Sequence, residues 1–412
     1  MDLSLTFPKK IRATITLPGS KSIAARALIL SALSGGRSVH NLSDCDDTQA
    51  LLKALTHDTE TVDIGAAGTA MRFLTAYFAT QADAQHLLTG TQRMQERPIS
   101  VLVEALQTLG ADITYVGQTG YPPLLIKGKN IQGSEVRLSA EVSSQYISAL
   151  LMVGPMLRDG LCLHLEGDIA SRPYIEMTLG LMREFGAKAE WSGEKTISVA
   201  PGGYDRAEDF TVEPDWSAAS YWYEIVALCD DTEAEIHLPY LREKSWQGDS
   251  VVKDLFQHLG VETHFTPEGA VLTKKAFSPT SEIWEVDFSQ FPDLAQTLVV
   301  TCAILGLPFH FTGLQSLRIK ETDRIAALAA ELGKLGILLE TQEAEIRYVP
   351  TAPKQLAPQT AEIETYEDHR MAMSIAPCAM KHPQIKILHS EVVNKSYPTF
   401  WEDLQRVGVI LQ

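Results

Sequence analysis

The sequence contains few cysteines, and none of them is spaced for a shared function. Five are scattered singly over 412 residues, without a CxxC pair or any other spacing typical of metal ligands. This usage is typical of a reducing compartment, so we expect a cytoplasmic protein with five buried, apolar thiols. The five residues are Cys45, Cys162, Cys229, Cys302 and Cys378.

Long apolar runs are also missing. The N-terminal stretch MDLSLTFPKKIRA has no apolar core of signal-peptide length, and no later run is long enough to span a bilayer. Gly/Ser linkers and low-complexity tracts do not occur. With 45% hydrophobic and 21% charged residues, the composition is that of a globular protein of two or three domains without a membrane partner.

Positive charge is in short supply as well. The 35 Lys and Arg residues against 52 Asp and Glu residues give a formal net charge of −17. An acidic surface does not attract polyanions, so nucleic acid and anionic membranes are poor candidate partners. If this protein binds anions, its cations have to be concentrated in one place.

The sequence does contain a repeated pattern of an apolar helix, a glycine and a short strand. ISVLVEALQTLG-ADITYV and RIAALAAELGKLG-ILLE are two examples. Glycine just past a helix end commonly adopts the left-handed conformation, and these glycines recur every 72 to 76 residues. Six repeats predict an α/β or α+β protein, which could divide into two domains of three repeats each. The glycines are Gly35, Gly110, Gly186, Gly260, Gly336 and Gly408.

Two of the helices have clear boundaries in the sequence. One has its apolar face at positions 325, 328, 329, 332 and 335, and Thr322 or Asp323 can cap it. The other has its apolar face between Ile99 and Leu109, and we expect Pro98 in its first turn.

Cations recur at the predicted helix starts, next to hydroxyl or amide side chains. A helix N-terminus has unpaired N–H groups and the positive end of the dipole, so it binds phosphate or carboxylate. Lysine and arginine oppose that dipole, and their repetition indicates a purpose other than helix stability. Each motif alone fits an ordinary helix start or loop, but together they predict an anion-binding cleft. The motifs are Ser20-Lys21-Ser22-x-x-x-Arg26, Gly68-Thr69-x-x-Arg72, Arg93-x-x-Glu96-Arg97-Pro98, Ser143-Ser144-Gln145, Ser171-Arg172-Pro173-Tyr174, Lys320-Glu321-Thr322-Asp323-Arg324, Asp368-His369-Arg370 and Asn394-Lys395-Ser396.

In this order, the motifs resemble those of the 5-enolpyruvylshikimate-3-phosphate synthase family. The similarity runs from about Leu17 to Trp401, and RIKETDR and DHRMAM are its most specific segments. It implies an α/β fold of two similar globular domains, each with three βαβαββ repeats around buried parallel helices, an inside-out α/β barrel. The implied domains are 20–213, with the shikimate 3-phosphate contacts, and 1–19 with 214–412, with the acid/base and phosphoenolpyruvate contacts. The site would lie in the cleft and close on the first substrate.

The implied reaction transfers the enolpyruvyl group of phosphoenolpyruvate to the 5-hydroxyl of shikimate 3-phosphate and releases phosphate. It belongs to chorismate and aromatic amino acid biosynthesis. Both substrates carry a phosphate and a carboxylate, which accounts for the cations. The resemblance implies no cofactor and no metal, and we expect a monomer whose partners are the two small-molecule substrates.

The resemblance also assigns roles to individual residues. Asp293 is the implied base for the 5-hydroxyl, Glu321 is our candidate for the proton at C3, and Lys21 assists the leaving phosphate. Which carboxylate serves which step stays open. Shikimate 3-phosphate contacts are expected from Lys21, Ser22, Arg26, Ser143, Ser144, Gln145, Ser171, Tyr174, Asp293, Ser316 and Lys320. Phosphoenolpyruvate contacts are expected from Lys21, Gly68, Arg97, Gln145, Glu321, Arg324, His369, Arg370 and Lys395, with Gly68 leaving room for the substrate.

Some positions depart from the family pattern. Ala66 and Ser316 stand where the family often has Asn, and Phe73 follows Arg72 where Pro is frequent. We hypothesise that Ala66 weakens binding of the inhibitor glyphosate more than binding of substrate. Equal inhibition constants for the wild type and Ala66→Asn would discard that hypothesis.

Two alternative functions are considered. UDP-N-acetylglucosamine enolpyruvyl transferases share the implied fold, but they carry an early Lys-Asn pair and a reactive loop cysteine. Here Ser22 follows Lys21, and TGTQRMQERP has no cysteine. An inactive binding homologue would be expected to have lost some of the candidate catalytic residues, and none is lost. A nucleotide P-loop is excluded because Thr14 stands where its first glycine is needed.

Overall fold

The structure is a computed structural model that describes residues 2–57, 59–140, 143–169, 171–205, 208–278, 280–350 and 360–412. The chain divides into two compact units. We call Gly19–Val212 the inserted unit, and Met1–Pro18 together with Glu213–Gln412 the discontinuous unit. The chain therefore leaves the discontinuous unit after Pro18 and returns to it at Glu213.

Short helices and strands alternate along the described chain. The helices are α1 (Lys21–Leu33), α2 (Asp46–Thr56), α3 (Gly68–Ala79), α4 (Gln92–Gln95), α5 (Ser100–Leu109), α6 (Ser144–Val153), α7 (Arg172–Glu184), α8 (Trp216–Leu228), α9 (Val252–Gln257), α10 (Ala295–Leu305), α11 (Arg324–Lys334), α12 (His369–Ile375) and α13 (Phe400–Arg406). The strands are β1 (Leu3–Thr6), β2 (Arg12–Thr14), β3 (Val39–His40), β4 (Thr61–Asp63), β5 (Gln85–Thr89), β6 (Asp112–Tyr115), β7 (Leu124–Lys127), β8 (Glu135–Ser139), β9 (Leu161–Glu166), β10 (Ala189–Gly193), β11 (Thr196–Val199), β12 (Phe210–Thr211), β13 (Glu235–Pro239), β14 (Val261–Thr266), β15 (Gly269–Lys274), β16 (Trp284–Asp287), β17 (Phe309–Thr312), β18 (Glu340–Thr341), β19 (Ile346–Tyr348), β20 (Ala361–Ile363), β21 (Ile385–Ile387) and β22 (Ile410–Leu411). Turns of 3-10 helix include Gly248–Val251, Pro292–Leu294, Gln315–Ile319 and Ser390–Lys395.

Two sheets of the inserted unit share one topology. Their strand orders are β4-β5-β7-β6 and β8-β9-β11-β10. In each sheet the first two strands are parallel, and a following hairpin pairs antiparallel with the second of them. A helix follows each of the two parallel strands, so each sheet is built by a βαβαββ run. The predicted α/β class and its repeated motif are confirmed.

The discontinuous unit contains three sheets with this same topology. Their orders are β2-β13-β15-β14, β16-β17-β19-β18 and β20-β21-β1-β22. The first sheet takes β2 from before the inserted unit, and the third takes β1 from near the N-terminus of the chain. The spatial arrangement of a repeat is therefore kept even where its chain is interrupted.

The sixth sheet differs from the expectation of three complete repeats in each domain. In the inserted unit, β12 and β3 form a parallel pair without a hairpin among the described residues. The reason is chain length, because only residues 57–60 separate α2 from β4, which already opens the next repeat. Gly35 follows the first helix of this short repeat, whereas the other five glycines follow the second helix of theirs. All six nevertheless have positive φ, as predicted.

The first helix of every repeat is buried almost all round. These helices are α1, α3 and α6 in the inserted unit and α8, α10 and α12 in the discontinuous unit, and each trio packs together. Their sequences are largely apolar, as a helix buried on all sides requires. Arg26, Arg72 and Arg370 lie in the first two turns of their helices, so the starts of the buried helices carry the charge. Within the described ranges, no helix is long and apolar enough to cross a membrane.

Several local predictions are wrong or incomplete. Pro98 precedes Ile99, which caps α5, so the proline lies outside the helix. Lys395 ends a 3-10 turn and does not begin α13. Asp323 caps α11 as predicted, because its side chain accepts a hydrogen bond from the Ala326 N–H.

The cysteines are free, but one of them is not buried. Cys162 is half-buried on β9, where its Sγ lies 3.5 Å from Nε2 of His164, so the prediction of five buried thiols is wrong at that position. The other four are buried. No group of three or more His, Cys, Asp or Glu side chains in the described part of the chain is arranged to hold a metal ion.

Candidate active site

In the discontinuous unit, an ion-pair network joins the starts of α10, α11 and α12. Asp293 lies in the 3-10 turn just before α10. Its Oδ1 is 3.4 Å from both Nζ of Lys320 and Nη1 of Arg324, and its Oδ2 is 3.1 Å from Nη2 of Arg370. Three cations therefore share this one carboxylate.

Arg324 is the buried centre of this network. Its Nε and Nη2 lie 2.6 and 3.2 Å from the two oxygens of Asp368, a bidentate pair with both side chains almost fully buried. Burial opposes the charge, but the carboxylates of Asp368, Glu321 and Asp293 outweigh it and raise the pKa of Arg324. Its guanidinium is therefore a fixed positive charge with a fixed orientation.

Glu321 bridges two cations. Its Oε2 lies 3.0 Å from Nη2 of Arg324, and its Oε1 lies 2.9 Å from Nζ of Lys395. The Glu321 side chain is 14% exposed, whereas that of Arg324 is 2% exposed, so Glu321 is the more accessible partner of this pair. These contacts bring Glu321 and Arg324 of the RIKETDR segment together with Lys395 of the NKS segment.

The start of α12 places His369 and Arg370. Asp368 caps the helix by accepting a hydrogen bond of 2.9 Å from the Arg370 N–H. Nη1 of Arg370 donates to the Tyr221 hydroxyl at 3.4 Å, and burial raises the pKa of Tyr221 to about 12, so this phenol stays protonated. The His369 ring is buried, with Nδ1 3.9 Å from Oδ1 of Asp368.

In the inserted unit, Lys21 and Arg26 lie in the first two turns of α1 with different surroundings. Nζ of Lys21 is 3.3 Å from Oδ2 of Asp47 on α2. The Arg26 guanidinium is buried and donates to the Thr178 hydroxyl, the Ser22 carbonyl and the Ser148 hydroxyl at 2.7, 2.8 and 3.1 Å. Burial lowers the pKa of Arg26 to about 10. Its hydrogen-bond acceptors among the described residues are all neutral, which leaves a buried positive charge that an anion would stabilise.

The glycine at the start of α3 makes room for an arginine. A Cβ atom on Gly68 would lie 2.6 Å from Nη1 of Arg97 and 3.1 Å from its Cζ. The resemblance implies that Gly68 leaves room for phosphoenolpyruvate. In the structure, the Arg97 guanidinium lies in this space and faces the start of α3. Arg72, one turn on, donates to the carbonyls of Gly68 and Pro98 at 3.1 and 3.2 Å and fixes both segments.

The remaining predicted polar residues lie at other helix starts. Nε2 of Gln145 donates to the Thr69 hydroxyl at 3.2 Å, which joins the starts of α6 and α3. Ser143 caps α6, and Ser144 is its first residue. Ser171 precedes α7 in the left-handed conformation, and the ring of Tyr174 lies 5.9 Å from the Arg26 guanidinium carbon. Ser316 lies in a 3-10 turn, and its side chain makes no hydrogen bond to another described residue.

Two carboxylates next to the candidate site, Asp47 and Asp249, were missed in the sequence, and Asp368 was noted only as part of the motif Asp368-His369-Arg370. Asp47 pairs with Lys21, and Asp368 pairs with Arg324. Asp249 is buried and accepts a hydrogen bond from the Ser217 hydroxyl at the start of α8. Burial and the nearby charge of Asp293 raise the pKa of Asp249 to about 7, while Arg370 and Ser217 lower it. The stretch DWSAAS, which opens the apolar helix α8 and contains Ser217, was the available signal for this region.

The comparisons with known proteins agree on one family. A family model described as EPSP synthase (3-phosphoshikimate 1-carboxyvinyltransferase) matches residues 5–59 and 56–404. The chain is 54% identical over 406 residues to a 3-phosphoshikimate 1-carboxyvinyltransferase of Bacteroides fragilis, covering 98% of this chain and 97% of that protein. It is 35% identical to the protein of the same name from Mannheimia haemolytica, with 99% of each chain covered.

Solved structures share the fold. An EPSP synthase of Acinetobacter baumannii superimposes with a TM-score of 0.77 at 22% identity, over 100% of this chain and 99% of that one. An enolpyruvyl transferase of Streptomyces tendae gives a TM-score of 0.74 at 15% identity, over 100% and 98%. At these identities the structures support the two-domain α/β fold, while the sequence matches carry the family. The chain belongs to the EPSP synthase (3-phosphoshikimate 1-carboxyvinyltransferase) family.

Proposed function

We infer that this chain transfers the enolpyruvyl group of phosphoenolpyruvate to the 5-hydroxyl of shikimate 3-phosphate and releases phosphate. Family membership supports the reaction. The observation that carries the residue assignment is the network in which Asp293 and Glu321 share Arg324, with Lys320, Arg370 and Lys395 around them. It offers two carboxylates for proton transfer and four cations for anionic substrates.

The addition step forms a bond between the 5-oxygen and C2 of phosphoenolpyruvate. Asp293 accepts the hydroxyl proton, and C3 gains a proton, so a tetrahedral adduct results. Glu321 is the residue that we place at C3. Arg324 and Lys395 flank this carboxylate at 3.0 and 2.9 Å, and the proton that Glu321 donates to C3 is taken up from solvent before the addition.

The elimination step reverses the change at C3. Glu321 removes a proton from C3 as the bond between C2 and the phosphate oxygen breaks, and the electrons of the C–H bond form the new double bond. Lys21 stabilises the negative charge of the departing phosphate. A well-placed acid or base contributes about 10² to 10⁴ in rate to such steps.

The cations of the discontinuous unit are assigned to phosphoenolpyruvate. Arg324, Arg370 and Lys395 supply the charge, and the planar arginine fork suits a carboxylate or a phosphate. His369 contributes a polar contact in this assignment. In the inserted unit, the buried Arg26 with its neutral acceptors supports binding of an anionic substrate, and the serines and Gln145 at the neighbouring helix starts supply hydroxyl and amide donors.

The finer properties of the enzyme complete this proposal. We assign shikimate 3-phosphate to the inserted unit and the acid/base residues to the discontinuous unit. The enzyme acts as a monomer in the cytosol, without nucleic acid as a partner; free thiols support that compartment.

A phosphate-release assay tests the function. Purified protein is given phosphoenolpyruvate with either shikimate 3-phosphate or UDP-N-acetylglucosamine. We expect phosphate only with shikimate 3-phosphate. Release with the nucleotide sugar would instead identify the related transferase, and no release with either acceptor would identify a binding homologue.

A further inference from the structure

A strained turn leads directly into the start of α12. Tyr366 and Glu367 have φ values of 54° and 55°, and both are non-glycine residues in the left-handed region. They immediately precede Asp368, His369 and Arg370. Two consecutive residues of this kind persist only when their surroundings hold them in place.

Helix α11 holds this turn at two points. At its first residue, Arg324 forms the bidentate pair with Asp368. Two turns later, the fully buried carboxylate of Glu331 accepts a hydrogen bond of 2.7 Å from the Tyr366 hydroxyl and one of 3.0 Å from the Glu364 N–H. Tyr366 is itself held at the second attachment point, and Glu367 lies between the two.

Nearby groups keep the second attachment point fixed. Nζ of Lys334 donates to Oε2 of Glu331 at 2.6 Å and to the Glu362 carbonyl at 2.8 Å, so it links the helix to β20. Burial and the contact with Glu331 raise the pKa of Tyr366 to about 12. The phenol therefore remains a hydrogen-bond donor across the working pH range of the protein.

We propose that Tyr366 is a positioning residue which, through Glu331, holds the turn that aims Arg370 and His369 at phosphoenolpyruvate. It touches neither substrate in this assignment. The inference deepens the proposed function and rests on it, because it concerns the affinity of that site for one of its two substrates.

Tyr366→Phe removes the hydroxyl and leaves the ring. We expect KM for phosphoenolpyruvate to rise roughly tenfold, the size expected when one hydrogen bond to a buried carboxylate is lost, with KM for shikimate 3-phosphate changed by less than about twofold. Tyr223→Phe is the matched control, since its buried hydroxyl bonds to the Thr263 hydroxyl at 2.9 Å on other elements of the same unit. An equal shift of KM for phosphoenolpyruvate in both variants, or in neither, would overturn the proposal.

Glu367→Gly tests whether the strain is held for function. Glycine accepts positive φ but raises the entropy of the unfolded chain, so the unfolding temperature is expected to change little while KM for phosphoenolpyruvate rises. A structural role alone would leave KM unchanged.

Amide hydrogen exchange separates this proposal from the proposed function. Residues 364–370 are expected to exchange faster in Tyr366→Phe than in the wild type, and at wild-type rates in Tyr223→Phe. If the wild type is inactive with both substrates, the proposed function is wrong. The exchange rates still test whether the bond between Tyr366 and Glu331 holds the turn. Unchanged exchange in Tyr366→Phe would overturn the attachment itself.

Discussion

At the scale of single residues, Asp293 is central to the proposed chemistry. Asp293→Asn keeps the side-chain size but removes the proton acceptor and the anion that Lys320, Arg324 and Arg370 share. We expect kcat to fall by about 10² to 10⁴ in a steady-state assay. Asp254→Asn, at an exposed position on α9 of the same unit, serves as the control. A loss of less than tenfold in Asp293→Asn would remove this residue from the chemistry.

Asp249 predicts a pH dependence of stability. Its pKa is about 7 in the folded protein and 3.8 in the reference state, so between these values the folded chain holds a proton that the unfolded chain releases. The free energy of unfolding therefore falls as pH rises from about 4 to about 7, by at most about 1.4 kcal/mol per pH unit for this group. Asp249→Asn removes this term. The unfolding temperature of the variant minus that of the wild type should be larger at pH 8 than at pH 5. An equal difference at both pH values would contradict the assignment.

Gly68 predicts an effect on substrate affinity without a large effect on stability. In Gly68→Ala the new Cβ would overlap the Arg97 guanidinium, which has to move because it is the flexible partner. We expect KM for phosphoenolpyruvate to rise by roughly tenfold, the equivalent of about 1.4 kcal/mol of binding free energy. Gly117→Ala, whose nearest neighbouring atom would lie 3.9 Å from the Cβ, is the control. Unchanged kinetics in Gly68→Ala would show that the position of Arg97 does not matter for binding.

At the scale of helices and strands, the glycines that end the second helices stabilise the fold through their left-handed backbone conformation. Gly110 has φ of 108°, and no neighbouring atom lies within 4 Å of the place that a Cβ would take, so Gly110→Ala introduces backbone strain without overlap. We expect a loss of about 1 kcal/mol in the free energy of unfolding measured with denaturant. Gly333→Ala, inside α11 with equally open space, should instead gain about 0.5–1 kcal/mol from helix propensity. Equal signs for the two changes would contradict the explanation.

The sequence predicts the helices and strands better than their grouping. The spacing of apolar residues and the recurring glycines indicate the second helices and the strands after them. They do not distinguish Gly35, which ends a buried first helix, because its local pattern is the same as at the other five. The hairpin after α2 is missing because only four residues separate that helix from β4. The spacing of the helix-ending glycines does not indicate the length of this connection.

The candidate site was predicted unevenly for a physical reason. Charged residues at helix starts are visible in the sequence, and Lys320, Glu321, Arg324 and Arg370 do form one network with Asp293, to which only the family resemblance pointed. Carboxylates such as Asp47 and Asp249 gain their importance from partners far away in the chain. Neither lies in one of the cation motifs at the helix starts, so only tertiary structure reveals them.

At the scale of the whole molecule, the acidic composition and the local clusters of cations are compatible. The formal net charge is −17, yet each compact unit carries cations at the starts of its buried helices. Both units are built from the same repeat, so a buried first helix occurs several times in each of them. We therefore expect binding of either substrate to weaken with added salt less than for a surface site, because buried charges are screened less.

Measuring the transfer of the enolpyruvyl group is the most direct test of the proposed function. Wild-type protein is incubated with phosphoenolpyruvate and shikimate 3-phosphate, and free phosphate and the 5-enolpyruvyl ether are quantified in the same samples. We expect ether and phosphate to accumulate in equal amounts and Asp293→Asn to slow both together. Phosphate without ether, or an ether formed on the nucleotide sugar, would contradict it.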